Sequence, residues 1–372
     1  MSGGVAARLE GKRICIVAGS GGVGKTTASA ALALGLAASG KRVAVVTIDP
    51  ARRLAESLGL EQLGNDPRQV DPALLESHGV QMRGELWAMM LDPKATFDDL
   101  ITRLAPDDRT REDVLGNRIY QQLSSAVAGS QEFTAVAKLY DLHHEGGFDV
   151  LVLDTPPSRN ALDFLDAPDR LTDFFEGRAL KVVLVPTGIA AKIMSRGTSV
   201  VFSILKRLTG VDLMDDIAVF FRALGGLTDG FKERAASVKA LLADPATTFL
   251  IVTSPEREPV AEAIFFHGKL REAGMAFGGL IVNRVTIPDD ESGESGGADA
   301  VRTQLTADGL DGAIAAKVAD SVADLRRLAA RDAQQIARLR DELDVRDPIV
   351  VPRLDGEVQD VEGLLALRDA LM

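Results

Sequence analysis

Eight residues near the start of the chain combine glycine, lysine and threonine in a spacing that suits phosphate chemistry. From Gly19 to Thr26 the chain has the sequence GSGGVGKT, which fits the pattern G-x-x-x-x-G-K-[ST] without a mismatch. Glycines such as Gly22 and Gly24 let the backbone turn its N–H groups towards an anion, because no Cβ stands in the way. Lys25 adds a positive charge for the β- and γ-phosphates, and the Thr26 hydroxyl is a ligand for Mg²⁺. The predicted nucleotide-binding residues of this loop are Gly21, Gly22, Val23, Gly24, Lys25, Thr26 and Thr27.

Two acidic residues close apolar stretches further along the chain. The run KRVAVVTID ends at Asp49, and the run FDVLVL is followed directly by Asp154. In parallel sheets with right-handed crossovers the chemistry gathers at the carboxyl ends of the strands, so both acids are predicted on the rim that carries the loop. An acid in the position of Asp154 is typical of a Mg²⁺ anchor. The alternative for each acid is a simple strand-end cap.

The elements that must carry these residues follow from the hydrophobic pattern. Ile14 to Val17 is apolar and β-prone, a glycine-rich turn follows, and a helical pattern runs from Thr27 to Ser39. Other strands are predicted at Lys41–Asp49, Glu85–Leu91, Phe148–Leu153, Lys181–Pro186, Thr248–Thr253 and Gly278–Val285, with an extended piece at Pro348–Arg353. These elements predict an α/β protein with a doubly wound, mostly parallel sheet.

The chain is predicted to form one domain over residues 1–372, with two additions. An apolar helical insert is expected at about residues 189–243, and a mobile loop rich in acidic residues, Gly and Ser at about residues 288–299. Apolar residues at helical spacing in the insert, such as Val200, Ile204 and Leu208, would suit a client helix, but such residues more often pack into a core. Residues 97–144 are predicted to be mainly helical, and residues 312–344 to form one or two charged amphipathic helices.

Composition narrows the classes of function. The chain has 46% apolar and 26% charged residues, a net charge of −12 and a pI near 5.0, which argues against non-specific binding to nucleic acid or to anionic membranes. No stretch approaches the roughly 20 apolar residues that span a bilayer, so a cytoplasmic protein is expected. The single cysteine, Cys15, excludes an intrachain disulfide and a C-x-x-C zinc site.

Seven stretches along the chain, in the same order, resemble the ArsA-type ATPase family. This family includes the arsenite-pump ATPase and the targeting factor for tail-anchored membrane proteins, and the likeness is strongest to the paired actinobacterial ArsA-like ATPases labelled anion-transporting. The stretches are GSGGVGKTT at Gly19, TIDPARRL at Thr47, LWAMMLDP at Leu86, DTPPSRNALDFL at Asp154, TSPEREPVAEA at Thr253, IVNR at Ile281 and VPRLDGEVQDVEGL at Val351.

The resemblance implies a fold, an activity and roles for single residues. It implies a P-loop NTPase of the deviant Walker A type and a Mg²⁺-dependent ATPase that works as a nucleotide-driven dimeric switch. Asp49 would orient or activate the attacking water, with Lys25 as the other catalytic residue, and Asp154 would hold Mg²⁺ through water. Asn283 would bind adenine, with a turn residue as the alternative, and Pro352 would belong to the segment that covers the base.

One departure from the family pattern bears on activity. Members usually carry a lysine at the position of Ser20, and this lysine reaches across a dimer to the partner's nucleotide. A symmetric homodimer of this chain would lack both lysines. The resemblance therefore implies either a paralogue that supplies the lysine or another cation, for which Arg52, Arg53 and Arg159 are candidates.

Two other classes of function remain open at this point. A non-catalytic nucleotide-binding subunit would also tolerate Ser20. A partitioning ATPase that binds DNA or membrane would need a basic face, and the last stretch, VEGLLALRDALM, has one arginine and two acids. Arsenite activation and a zinc-clasped dimer need cysteines that the chain lacks, so zinc is not an expected cofactor.

Overall fold

The structure is a computed structural model that describes residues 4–48, 53–123, 130–155, 166–169, 225–287, 298–354, 358 and 360–372. Several sequence predictions lie outside these residues: Asp49, the strand Lys181–Pro186, the insert up to residue 224 and the acidic loop up to residue 297.

Eight strands of the described residues form a single sheet. They are β1 Ile14–Ala18, β2 Arg42–Thr47, β3 Arg68–Gln69, β4 Glu85–Met90, β5 Val150–Asp154, β6 Thr247–Thr253, β7 Phe277–Val285 and β8 Ile349–Pro352. Their order in the sheet is β3-β4-β2-β5-β1-β6-β7-β8. Every neighbouring pair is parallel except β3 with β4. The predicted doubly wound, mostly parallel sheet is confirmed.

Helices cover both faces of this sheet. In chain order the described helices are α1 Val5–Arg8, α2 Lys25–Ala38, α3 Arg53–Ser57, α4 Pro72–Ser77, α5 Pro93–Leu104, α6 Asp108–Leu115, α7 Arg118–Leu123, α8 Ser130–Glu145, α9 Thr228–Ala243, α10 Arg257–Glu272, α11 Ala298–Ala307, α12 Gly312–Leu343 and α13 Val361–Leu371. None of them combines the length and the apolar character needed to cross a lipid bilayer.

The core has one layer on each side of the sheet. The alanine-rich helix α2 and helix α13 cover one face, whereas α5, α8, α9 and α10 cover the other. Strands β1 and β5 are buried along their whole length, as expected for central strands with helices on both faces. Cys15 is a core residue of β1, and burial raises the pKa of its thiol. This thiol is therefore unreactive in the folded protein.

Three elements add to the sequence predictions. The described end of the helical insert, α9, packs on the sheet through Phe231, Val238 and Leu242, so these residues belong to the core layer. The predicted segment 312–344 forms one helix of 32 residues, Gly312–Leu343, and Asp344, with φ 52°, is its C-cap. The short edge strand β3 has exposed polar residues, and a pattern of this kind gives no hydrophobic signal.

Candidate nucleotide site

The glycine-rich loop lies between the central strand β1 and helix α2. In the register of the sheet, Val17 of β1 stands beside Asp154 of β5, and Ala18 stands beside Ile251 of β6. The chain leaves β1 at the carboxyl edge and enters α2 at Lys25, with Gly24 as the residue that caps the helix. Asp154 and the loop therefore meet at the same edge, as the sequence predicted.

Three glycines give the loop its shape. Gly19, Gly22 and Gly24 have φ values of 154°, 77° and 96°, in the region that L side chains rarely adopt. A Cβ on Gly19 would lie 2.0 Å from the carbonyl oxygen of Val252, and one on Gly24 would lie 2.4 Å from Nδ2 of Asn283. At Gly22, by contrast, no heavy atom stands within 4 Å of the added Cβ. The loop therefore packs closely against neighbouring residues at Gly19 and Gly24, whereas the space beside Gly22 is free of other described atoms.

Lys25 is folded back onto this loop. Its side chain is buried, and Nζ donates a hydrogen bond of 2.8 Å to the carbonyl oxygen of Ser20. A buried ammonium group needs a partner because desolvation of an unpaired charge is costly. The positive charge therefore lies within the curve of the loop, where the phosphates of a nucleotide would bind.

Asp154 joins two elements through hydroxyl groups. Its side chain is fully buried, and Oδ2 accepts hydrogen bonds from Thr26 Oγ1 at 2.7 Å and from Thr47 Oγ1 at 2.8 Å. Thr26 belongs to the first turn of α2 and Thr47 ends β2. A hydroxyl and a carboxylate at the mouth of a phosphate loop are oxygen ligands of the kind that Mg²⁺ prefers.

The rest of the neighbourhood fits Mg²⁺ better than a metal enclosed by protein ligands. Among the residues that the structure describes, no group of three or more His, Cys, Asp or Glu side chains could hold a metal ion. Mg²⁺ in nucleotide sites keeps several waters and uses one or two protein oxygens together with the phosphates. The donor set of Thr26 and Asp154 meets that requirement.

Ser20 contacts an acid that sequence reasoning missed. Its hydroxyl, which is buried, donates a short hydrogen bond to Oε2 of Glu262 on α10. The stretch TSPEREPVAEA contains Glu262, but its pairing with a residue 242 positions earlier depends on how α10 packs beside the loop. Position 20 therefore carries a neutral hydroxyl group, and this group is hydrogen-bonded to a residue of the same chain.

Asn283 belongs to β7 and contacts the loop, and Pro352 belongs to the neighbouring strand β8. Nδ2 of Asn283 donates to the carbonyl oxygen of Val23 at 2.8 Å, and Oδ1 accepts from the backbone N–H of Arg284 at 2.9 Å. Pro352 ends β8 beside Val285, two residues after Asn283. Asn283 therefore contacts the loop and supports its backbone, whereas the place of Pro352 at the base stays a prediction.

The other predicted residues complete the description of the loop. Gly21 is exposed, Val23 is buried in the core below α2, and Thr27 is half-buried in its first turn. Asp49, Arg52 and Arg159 lie outside the described residues, as does the side chain of Arg53. Their roles stay predictions from the resemblance.

Replacing Asn283 with alanine is expected to weaken ATP binding about tenfold, because the carbonyl of Val23 loses a hydrogen bond and the loop loses support. The preference for ATP over GTP should narrow as well, since the amide is predicted to bind the base. Calorimetric titrations with both nucleotides would measure these changes. The matched control is Asn65→Ala, because Asn65 accepts structural hydrogen bonds from Asp92 N and Thr96 Oγ1. Unchanged ATP affinity in Asn283→Ala would contradict the role given to this residue.

Comparisons with known proteins indicate the family of this chain. The sequence profile of the anion-transporting ATPase family (ArsA ATPase) matches residues 12–304, which include the loop, Asp154 and Asn283. The "Putative arsenical pump-driving ATPase 1" of Aquifex aeolicus is 27% identical over 292 residues, which cover 75% of this chain and 64% of that protein. The "ATPase get3" of Aspergillus terreus is 32% identical over 160 residues, which cover 42% of this chain and 43% of that protein. The "ATPase ASNA1 homolog 1" of Paramecium tetraurelia is 26% identical over 290 residues, which cover 74% of this chain and 75% of that protein.

The coverage decides how much these comparisons establish. The chain spans less than two thirds of the length of the first two relatives, so their whole activities do not transfer directly. The family match, however, extends over most of the 372 residues. With its glycine-rich loop, its parallel sheet and this match, the chain belongs to the anion-transporting ATPase family.

Proposed function

We propose that this chain is a Mg²⁺-dependent ATPase that acts as a nucleotide-driven dimeric switch in transport or protein targeting. The observation that supports it most is the meeting of Lys25, Thr26 and Asp154 at one edge of the sheet, with Asp154 accepting the Thr26 hydroxyl at 2.7 Å. The ligands would be ATP or ADP with Mg²⁺. The cytoplasm is the expected compartment.

The residues of the chain have separate tasks in this reaction. The backbone N–H groups of the loop and the ammonium group of Lys25 would bind the phosphates and stabilise the charge that develops during in-line attack by water. Thr26 and Asp154 would hold Mg²⁺, which supplies further charge neutralisation when bound. Asp49 would orient the attacking water, and Asn283 and Pro352 would bind the adenine.

A second subunit is part of the proposal. Ser20 carries no charge and donates its hydroxyl hydrogen to Glu262 of the same chain, so it offers no cation to a partner. We propose that a paralogue supplies the lysine that completes this site, or else that an arginine such as Arg52, Arg53 or Arg159 replaces it. A cation delivered in trans to a phosphoryl-transfer site raises turnover by about 10³ to 10⁵.

Mixing this chain with a lysine-bearing paralogue is therefore expected to raise ATP turnover at least ~100-fold above the sum of the separate chains. Steady-state phosphate release from each chain alone and from the mixture would measure this. The control is the same paralogue with its lysine replaced by alanine, which should return the rate to the sum. Fast turnover by this chain alone, unaffected by any partner, would exclude the heteromeric form.

A non-catalytic nucleotide-binding subunit is the second candidate. The Ser20–Glu262 contact favours it, because Ser20, at the position where the resemblance implies a lysine, is a neutral residue that is hydrogen-bonded within the subunit. In that case Asp49→Asn in this chain would leave the turnover of the mixture unchanged. If this chain is catalytic, the same substitution would lower turnover.

The client of the switch is proposed only by class. The names of the relatives include an arsenical pump-driving ATPase, and the family name refers to anion transport. A hydrophobic helix or a membrane-associated protein would suit the apolar insert. Co-purification with an ATP analogue, followed by identification of the accompanying chain, would test this class.

A further inference from the structure

Glu262 is a half-buried carboxylate beside the glycine-rich loop, and the reaction proposed above gives it no task. It lies in the second turn of α10, where its Oε2 accepts a short hydrogen bond from the buried hydroxyl of Ser20. No ion pair between described residues involves Glu262, so the Ser20 hydroxyl is the polar partner that the structure gives it. The contact therefore joins α10 to the loop.

Helix α10 and the strand before it support the first residues of the loop. Four residues of the helix are buried in the core, which fixes its position: Val260, Ala263, Phe266 and Leu270. Strand β6 comes directly before α10, and the carbonyl oxygen of its Val252 packs closely against Gly19. The strand thus contacts Gly19 through its backbone, and the helix contacts Ser20 through Glu262.

The second half of the loop has a separate support. Asn283 donates a hydrogen bond to the carbonyl oxygen of Val23 and packs closely against Gly24. Between these two supports, Gly21 and Gly22 are exposed. The loop is therefore supported on both sides of an exposed middle.

Ser20 connects Glu262 to Lys25. Its hydroxyl donates to Glu262, while its carbonyl oxygen accepts a hydrogen bond of 2.8 Å from Nζ of Lys25. A rotation of the backbone at Ser20 would disturb both contacts, because one residue makes them. Hydrogen bonds to a carboxylate are roughly twice as strong as those between neutral groups. Glu262 thus holds in place the residue that accepts from the ammonium group of Lys25.

We propose that Glu262 is a positioning residue, which acts through the Ser20 hydroxyl to order the first half of the loop before a nucleotide binds. A loop that is already ordered loses less conformational freedom on binding, so its affinity for the ligand is higher. Bound phosphates then hold the loop through its backbone N–H groups, and turnover at saturating ATP depends much less on Glu262. This inference rests on the proposed function, because it needs a nucleotide at the loop.

The negative charge of Glu262 would have the opposite effect if it acted directly on the phosphates. Like charges repel, so the carboxylate would then weaken nucleotide binding. The contacts favour positioning, because the ammonium group of Lys25 lies on the same residue and offsets that charge. Glutamine separates the two effects, since its amide oxygen still accepts a hydrogen bond but carries no net charge.

Calorimetric titration of the full chain with Mg-ADP is the first test. Glu262→Ala should raise the dissociation constant about tenfold, because the Ser20 hydroxyl loses its acceptor and the loop loses a support. Glu262→Gln should stay within about threefold of the native value, since the acceptor is kept. The matched control is Glu258→Ala, because Glu258 is exposed in the first turn of the same helix and should leave the dissociation constant unchanged.

A double-mutant cycle tests whether Glu262 acts through Ser20. Ser20→Ala should weaken Mg-ADP binding about as much as Glu262→Ala does, and S20A/E262A should bind no more weakly than either single variant. Losses that add would mean that the two residues act separately, which would overturn the proposal. Ser20→Ala removes the same hydrogen bond from the side of the loop, so it decides the question if Glu262→Ala does not fold.

Steady-state kinetics of the most active assembly give a second readout. Glu262→Ala should raise KM for ATP about tenfold and change kcat by less than about threefold. Thermal unfolding of each variant would check that the fold is intact. If the native chain bound no Mg-ADP, the proposed function would fail, and this inference with it. If the native chain bound Mg-ADP and Glu262→Ala bound it equally or more tightly, this inference alone would fail.

Discussion

Replacing Lys25 with alanine is expected to lower ATP turnover by about a thousandfold or more in the most active assembly of the chain. The ammonium group lies in the curve of the loop, bonded to the carbonyl of Ser20 at 2.8 Å, and no other described lysine is placed there. Electrostatic groups aimed at a developing charge contribute about 10² to 10³ each, and a site shielded from water strengthens the effect. Steady-state phosphate release would measure the loss.

The control for this experiment is Lys12→Ala. Lys12 also donates to a backbone carbonyl, that of Pro245 at 2.7 Å, but on an exposed surface away from the loop. Its loss should leave turnover within a factor of two. Calorimetry with ADP would show whether Lys25→Ala still binds nucleotide. Turnover close to that of the native chain would mean that Lys25 does not stabilise the reacting phosphate.

The second expected result concerns Asp154→Asn, which should lower turnover about 100-fold and raise the Mg²⁺ concentration needed for half-maximal activity. Asparagine keeps the shape of the side chain and still accepts the hydroxyl groups of Thr26 and Thr47, so the fold should survive. What is lost is the negative charge that favours the cation. Turnover measured against Mg²⁺ concentration at fixed ATP would separate this effect from a general loss of activity.

Asp332→Asn is the matched control for Asp154→Asn. Both carboxylates are buried and accept hydrogen bonds. Asp332, however, belongs to α12 and accepts from the backbone N–H of Thr286, the residue after β7. Its replacement should leave the Mg²⁺ dependence unchanged. If Asp154→Asn also left that dependence unchanged, Asp154 would be a structural cap and not a part of the metal site.

Local sequence patterns predicted much of this fold because the relevant interactions join residues that are close to one another in the sequence. The loop, its flanking strand and the helix after it occupy residues 14–38, and their order alone identifies them. Apolar runs located most of the described strands to within a few residues, because central parallel strands are buried on both faces. The position of Asp154 beside the loop then followed from the rule that parallel strands share a carboxyl edge.

Contacts between distant segments could not be predicted in this way. The pairing of Ser20 with Glu262, and that of Asn283 with the carbonyl of Val23, each depends on side chains that meet after the whole sheet has formed. Strand β3 was not predicted, because an exposed strand at the edge of the sheet needs no apolar residues. The continuity of α12, by contrast, was available in the sequence, since neither proline nor glycine interrupts residues 313–343.

The hydrogen bonds of Asp154 have a thermodynamic consequence for regulation. One carboxylate oxygen accepts from the helix after the loop, through Thr26, and from the end of β2, through Thr47. In the sequence, Asp49 follows Thr47 by two residues. If nucleotide and Mg²⁺ redirect the Thr26 hydroxyl, the free energy of holding the end of β2 changes too. Linkage between two ligands is reciprocal. If nucleotide changes the affinity of this chain for a partner protein that binds the segment after Thr47, that partner must change the affinity for nucleotide by the same factor.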